Sequence, residues 1–121
     1  MKPLLQTQLS TFLERFNYFK DAECRSLEIL SANLMQLTLA TQDSARAFDW
    51  ITVTFEFSGI EDARLLQENQ LSLVDMSDGI TIMKSEQKFA FALGECYNIS
   101  AITNSSCYLL VNSIKYQEGQ F

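Results

Sequence analysis

The sequence predicts an α+β domain, one N-terminal helix packed on a mainly antiparallel sheet of seven or eight short strands. Two observations carry this. Apolar residues follow a helical period only at the start of the chain, and from Glu23 onward they alternate with a period of two. The links between the strand-like runs are also of hairpin length, whereas parallel strands need crossovers of a dozen or more residues. With 121 residues, 47% apolar and 20% charged, the chain has the size of a single domain over 1–121. That is enough to bury a core without disulfide or metal staples.

Each element has its own signature. Leu5, Leu9, Phe12, Leu13 and Phe16 form one stripe of a helix, placed at 3–17 with Pro3 in the first turn, where its missing N–H is no loss. Residues 24–30 read as a first strand. Met35, Leu37 and Leu39 alternate with Gln36 and Thr38 in a second, and Ile51, Val53, Phe55 and Phe57 alternate with Thr52, Thr54 and Glu56 in the clearest one. Residues 71–76 and 80–82 flank Ser77-Asp78-Gly79, a hairpin signal. Phe89, Phe91 and Leu93 alternate with alanines, and 97–103 and 107–116 read as two more strands around Asn104-Ser105-Ser106. Residues 60–69 fit either helix or strand, since Glu61 and Asp62 suit a helix N-terminus.

Composition excludes much chemistry. The chain has no histidine, so neither a Ser-His-Asp triad, a Cys-His pair nor a histidine-bearing zinc site can form. Cys24, Cys96 and Cys107 are odd in number and match no disulfide or zinc spacing; they read as small apolar residues in a reducing cytoplasm. Cys96 beside Glu95 is a poor nucleophile, because a neighbouring carboxylate disfavours the thiolate. The four glycines are isolated, so no phosphate-cradling loop is present. Asp75 to Gly79 lacks the acid spacing of a calcium loop. The expectation is a protein without catalytic, cofactor or metal residues. No secretory signal or membrane-spanning run is seen, which makes the cytoplasm the expected location.

Charge is the more informative quantity. The net charge is -6, and residues 40–80 hold Asp43, Asp49, Glu56, Glu61, Asp62, Glu68, Asp75 and Asp78 against only Arg46 and Arg64. The remainder of the chain is neutral, so the whole excess lies in the middle third. Such a segment is either a solvated surface or a face that steers a basic protein partner. The candidate partner-binding residues are Asp43, Asp49, Glu61, Asp62, Asp75 and Asp78, with Trp50 as anchor at a loop-to-strand junction. Nucleic acid and membrane surfaces are disfavoured as partners, because the nine basic residues are scattered rather than clustered.

The segment Tyr18-Phe19-Lys20-Asp21-Ala22-Glu23, followed by the strand through Leu37-Thr38-Leu39 and by Val53-Thr54-Phe55-Glu56-Phe57-Ser58-Gly59-Ile60, resembles a layout in small bacterial domains, among them immunity-type proteins of bacterial toxin systems. Lys20 stands where those domains carry a histidine, so a role tied to that histidine does not carry over. The resemblance implies a non-enzymatic cytoplasmic protein that binds and blocks a cognate toxin. Two other readings stay open at this point: a small-ligand-binding or carboxylate-based enzyme domain, and a homo-oligomeric structural subunit. The sequence leaves the oligomeric state undetermined.

Overall fold

The structure is a computed structural model that describes residues 1–66, 70 and 73–121. Its seven strands are β1 (Lys2–Pro3), β2 (Glu23–Ser31), β3 (Leu34–Asp43), β4 (Asp49–Arg64), β5 (Ile80–Ser85), β6 (Lys88–Leu93) and β7 (Tyr108–Gln120). They form one sheet in the order β2-β3-β4-β7-β6-β5, and every pairing is antiparallel. β1 pairs with β7 at Lys115 and Tyr116, on the edge that β6 occupies further up at 108–111. The helix α1 (Leu9–Arg15) lies on one face and a second, short helix α2 (Ile99–Thr103) on the other.

The alternation of residue types sets the two faces. Met35, Leu37 and Leu39 of β3, and Ile51, Val53, Phe55 and Phe57 of β4, point to the α1 side and are buried. There they meet the helix stripe: the Phe12 ring lies 5.9 Å from Phe55, and Phe19 lies 5.5 Å from Phe55. The opposite face of β3 and β4 is polar and half-buried, with Thr38 and Thr54 hydroxyls 2.9 Å apart and Gln36 Nε2 donating to Glu56 at 3.2 Å. Towards β6 that face turns apolar again, and Ala90, Ala92, Tyr108 and Ile102 of α2 form a second buried cluster.

The sheet is rolled. β2 and β5 are its two edges, which a flat six-strand sheet would hold about 24 Å apart at the usual strand spacing. Yet Asp21, two residues before β2, donates its N–H to the carbonyl of Met76, four residues before β5, at 2.8 Å. The segment between α1 and β2 closes this gap. Asn17, Tyr18, Phe19 and Asp21 all take left-handed φ values of 51 to 63°, which disfavour side chains by roughly 1–2 kcal/mol per residue. Complete burial of Phe19 and near-complete burial of Phe16 hold the segment in that conformation.

Four sequence expectations are corrected. The helix does not begin at residue 3: Lys2 and Pro3 form β1, the Leu4 N–H donates to Ile114 at 2.9 Å, and Leu5 is exposed. A proline is acceptable there because β1 is an edge strand. Residues 97–103 are not a strand; Asn98 caps α2, its side-chain oxygen accepting from Ala101 N–H at 2.7 Å, and the three-residue spacing of Ile99 and Ile102 puts both against the sheet. Of the expected strand 71–76, Leu71 and Ser72 lie outside the described residues and 74–76 are in no strand. Asp75 there accepts from Ser77 N–H at 2.9 Å, and the Met76 carbonyl is taken by Asp21 and Gly79. Ser77-Asp78-Gly79 is a turn into β5, and the hairpin partner of β5 is β6 across Glu86-Gln87. Residues 60–64 continue β4 past a bulge at Glu61, while 67–69 lie outside the described residues.

Candidate functional site

The β3–β4 connection builds the most distinctive surface. β3 ends at Asp43, whose carboxylate accepts from Ala45 N–H at 2.9 Å and starts a single 3-10 turn, Ser44–Arg46. The Phe48 N–H then donates to the Asp43 carbonyl at 2.9 Å. Ala47 and Phe48 both take left-handed φ values, 56 and 65°, and this reversal throws the Phe48 ring outward, 63% exposed. Trp50 follows one residue into β4, 39% exposed, with its ring centroid 5.6 Å from that of Phe121. Arg25 lies over the Phe121 ring, 4.6 Å from its centroid.

Trp50 is a ridge between two clefts. One, about 420 Å³, runs between the C-terminal end of α1 and the ends of β3 and β4, with Asn17, Lys20 and Phe48 in its walls. The other, about 350 Å³, lies between Trp50, Asp49, Arg46 and Phe121.

Beneath this surface the charges are paired. Arg15 grips Asp43 with both ends of its guanidinium fork, Nε to Oδ1 at 2.8 Å and Nη2 to Oδ2 at 2.6 Å, and it also bonds Glu118. Arg46 lies 3.4 Å from both carboxylates, and Ser44 Oγ donates to the Arg15 carbonyl at 2.7 Å. The Arg15 hydrogen bond holds the Asp43 carboxyl below the usual carboxylate range, although burial opposes it. These two cations and two anions balance. Arg25, over Phe121, is paired with Glu23 at 3.0 Å, so what stays around the aromatic end is Glu14, Asp21 and Asp49 against Lys20.

The predicted partner-binding residues therefore separate. Asp49 and Trp50 belong to this surface. Asp43 is fully buried in the Arg15 pair, so it is a positioning residue and not a contact residue; the pair with Arg15, 28 residues away, compensates the burial of a carboxylate that its acidic stretch would place at the surface. Glu61 and Asp62 lie at the far end of β4, where Glu61 pairs with Lys88 and Asp62 accepts from the Tyr108 hydroxyl at 2.9 Å. Asp75 is used by its turn, and the Ser77 hydrogen bonds lower its pKa. Asp78 lines a third cleft against β5. Sequence reasoning missed Phe121, Arg15 and Lys20. Lys20 is visible as a departure from the resemblance; the other two have no local signal.

Burial pushes the Cys24 thiol up to about 11 and raises those of Cys96 and Cys107, so each is held as the unreactive thiol. For Cys96 the cause is burial rather than the Glu95 charge. Among the described residues the carboxyls with shifted values, Asp43 and Asp75, are lowered, opposite to what a general acid needs. Among the described residues no three Cys, Asp or Glu side chains group to hold a metal ion, and no helix is long and apolar enough to cross a membrane.

The fold thus defines an α+β protein with a rolled antiparallel sheet and an exposed aromatic end. Compared with protein-family models, curated proteins and solved structures, the chain gives no significant match.

Proposed function

We propose that this chain is a non-enzymatic binding protein of immunity type that neutralises a basic protein partner, a toxin domain, through the Phe48–Trp50–Phe121 end of its sheet. The observation that carries the reading is Trp50 standing exposed as the ridge between two clefts, with Phe48 and Phe121 exposed beside it. Tryptophan set in pockets at the centre of an interface contributes disproportionately to affinity. The ion pairs beneath hold the surface rigid, which lowers the entropy cost of association. The surplus of Glu14, Asp21 and Asp49 over Lys20 favours a basic partner and faster encounter with it. The acidic face of this reading is smaller than the middle third of the chain, since Asp43 is internal and Glu61 and Asp62 lie elsewhere.

The test begins by capturing the partner with the tagged wild-type chain and then titrating the purified partner against variants. Trp50→Ala should weaken binding by about 30-fold or more, the size of an interface hot spot. Asp21→Asn combined with Asp49→Asn should slow association and flatten its dependence on salt. Equal affinity for wild type and Trp50→Ala sinks the reading.

A further inference from the structure

We propose that the free edge of β5 docks an extended peptide segment of a partner protein, which adds to the sheet as a further strand and presents a basic side chain to Asp78 and Glu95. This rests on a different part of the molecule from the Trp50 surface and does not depend on it.

β5 is the last strand of the sheet and, among the described residues, pairs only with β6. Its hairpin closes through the two-residue turn Glu86-Gln87, with Ser85 opposite Lys88. In such a hairpin the residues flanking the turn form a hydrogen-bonded pair, and the bonded positions then alternate. Ser85, Met83 and Thr81 therefore face β6, while Ile80, Ile82 and Lys84 turn their N–H and C=O groups outward. The bond from Gly94 N–H to the Gly79 carbonyl, 2.7 Å, continues the same alternation. Among the described residues, no backbone hydrogen bond outside the strand ladders uses Ile80, Ile82 or Lys84.

A cleft of about 280 Å³ lies along this edge. Ile80, Thr81, Ile82 and Met83 all line it. Successive side chains of a strand point to opposite faces, so a cleft touching four in a row follows the edge of the strand rather than one face. Leu13, Tyr18 and Lys20 form the opposite wall, and Glu95 and Tyr97 the end. The wall is fixed close to β5, because a Cβ on Gly79 would come within 2.0 Å of the Tyr18 carbonyl oxygen.

Charge selects the side chain. Asp78 and Glu95 face the cleft against one cation, Lys20, which lies 5.9 Å over the Tyr18 ring. Tyr97 is 80% exposed and donates its hydroxyl to Glu95 at 2.8 Å, so its ring offers a face on which a guanidinium can stack beside two carboxylates. The other edge of the sheet is protected in a way β5 is not. β2 carries bulges at Arg25 and Leu30, whereas β5 keeps unbroken register over its whole length. Lys84, the one charge on β5, folds back over the Phe89 ring, 4.6 Å from its centroid.

The probe is a blocked hexapeptide of alternating threonine and valine with one central arginine, followed by amide hydrogen exchange and amide chemical shifts of the full chain. Ile80 and Ile82 are only 3% and 6% exposed, so in the free protein their amides should exchange faster than those of Thr81 and Met83 but slower than open chain. Saturating peptide should protect Ile80 and Ile82. Methylating alternate peptide nitrogens should abolish this, and replacing the arginine by glutamate should weaken binding about tenfold, as should Tyr97→Ala, an exposed position whose loss leaves the core intact. Trp50→Ala should leave peptide binding unchanged. Absence of protection at Ile80 and Ile82, or equal binding of the methylated peptide, overturns the proposal. So does concentration-dependent protection of these amides without peptide, which would mean that a second copy of the chain already occupies the edge.

Discussion

Asp43 shows how one residue changes meaning when its partners are known. A carboxylate without solvent exposure is costly unless every lone pair is used, and here Arg15, Arg46 and the Ala45 N–H use them. Because Arg15 holds the folded-state pKa down, the pair stabilises the fold fully above the unfolded aspartate value of about 3.9. That contribution is lost as the pH falls below this value toward the folded pKa. Asp43→Asn should therefore cost roughly 3 kcal/mol near neutrality, leaving Arg15 partly buried without its anion. The difference in urea midpoint between variant and wild type should shrink as the pH drops below about 3.9. A difference that stays constant into acid would show that the pair is not what Asp43 contributes. Nothing local announces this role. Arg15 is 28 residues away and off the apolar stripe of its helix, so an acid in an acidic stretch reads as exposed.

At the scale of elements, the turns decide more than the strands. Gly79 has φ of +71° and its backbone lies against that of Tyr18, so it fixes both the entry to β5 and the left-handed segment before β2. Gly79→Ala should destabilise by at least about 2 kcal/mol, since both the conformation and the space exclude a side chain. Thermal melting checks this, and an unchanged midpoint would separate the turn from the closure of the sheet. The turn itself was legible from Asp78-Gly79, but its use was not. Asp-Gly announces a reversal without saying whether a strand precedes it, and here the preceding backbone groups go to Asp21. Residues 97–103 misled for a related reason. Five residues of helix carry too little periodicity to outweigh apolar alternation, and the Asn98 cap was the only signal of a start.

For the whole molecule, the core is a set of rings in mostly tilted and edge-on contact at the centre of a rolled sheet. Phe55 sits within 6.0 Å, centroid to centroid, of Phe12, Phe19, Phe57 and Phe91, which come from the helix, the closing segment, its own strand and β6. Phe55→Ala should cost about 3–5 kcal/mol by cavity formation and loosen helix and sheet together. Urea unfolding followed separately by ring fluorescence and by far-ultraviolet circular dichroism should lose stability by the same amount in both signals. If the helix survived to its original midpoint, the rings would not be one core. The rolled shape also accounts for the distribution of surfaces. One end of the sheet is left with exposed aromatics, and one edge is left with free backbone groups beside a cleft.

The period of the apolar residues, read along the chain alone, determined the α+β class and the buried residues of β3, β4 and β6, while the short links determined the antiparallel pairing. These follow from local geometry, because the side chains of a strand alternate whatever the strand pairs with. Among the described residues the strand count also agreed, though by compensation, as 73–76 and 97–103 are in no strand and β1 was gained. Tertiary structure alone decided which acids are available. Burial of Asp43, pairing of Glu61 with Lys88 and bonding of Asp62 to Tyr108 arise between residues far apart in sequence, and net charge is blind to such distances. The approach of the segment before β2 to the edge of β5, which makes the cleft there, comes from the same source: it depends on the roll of all the strands together, which no local pattern records.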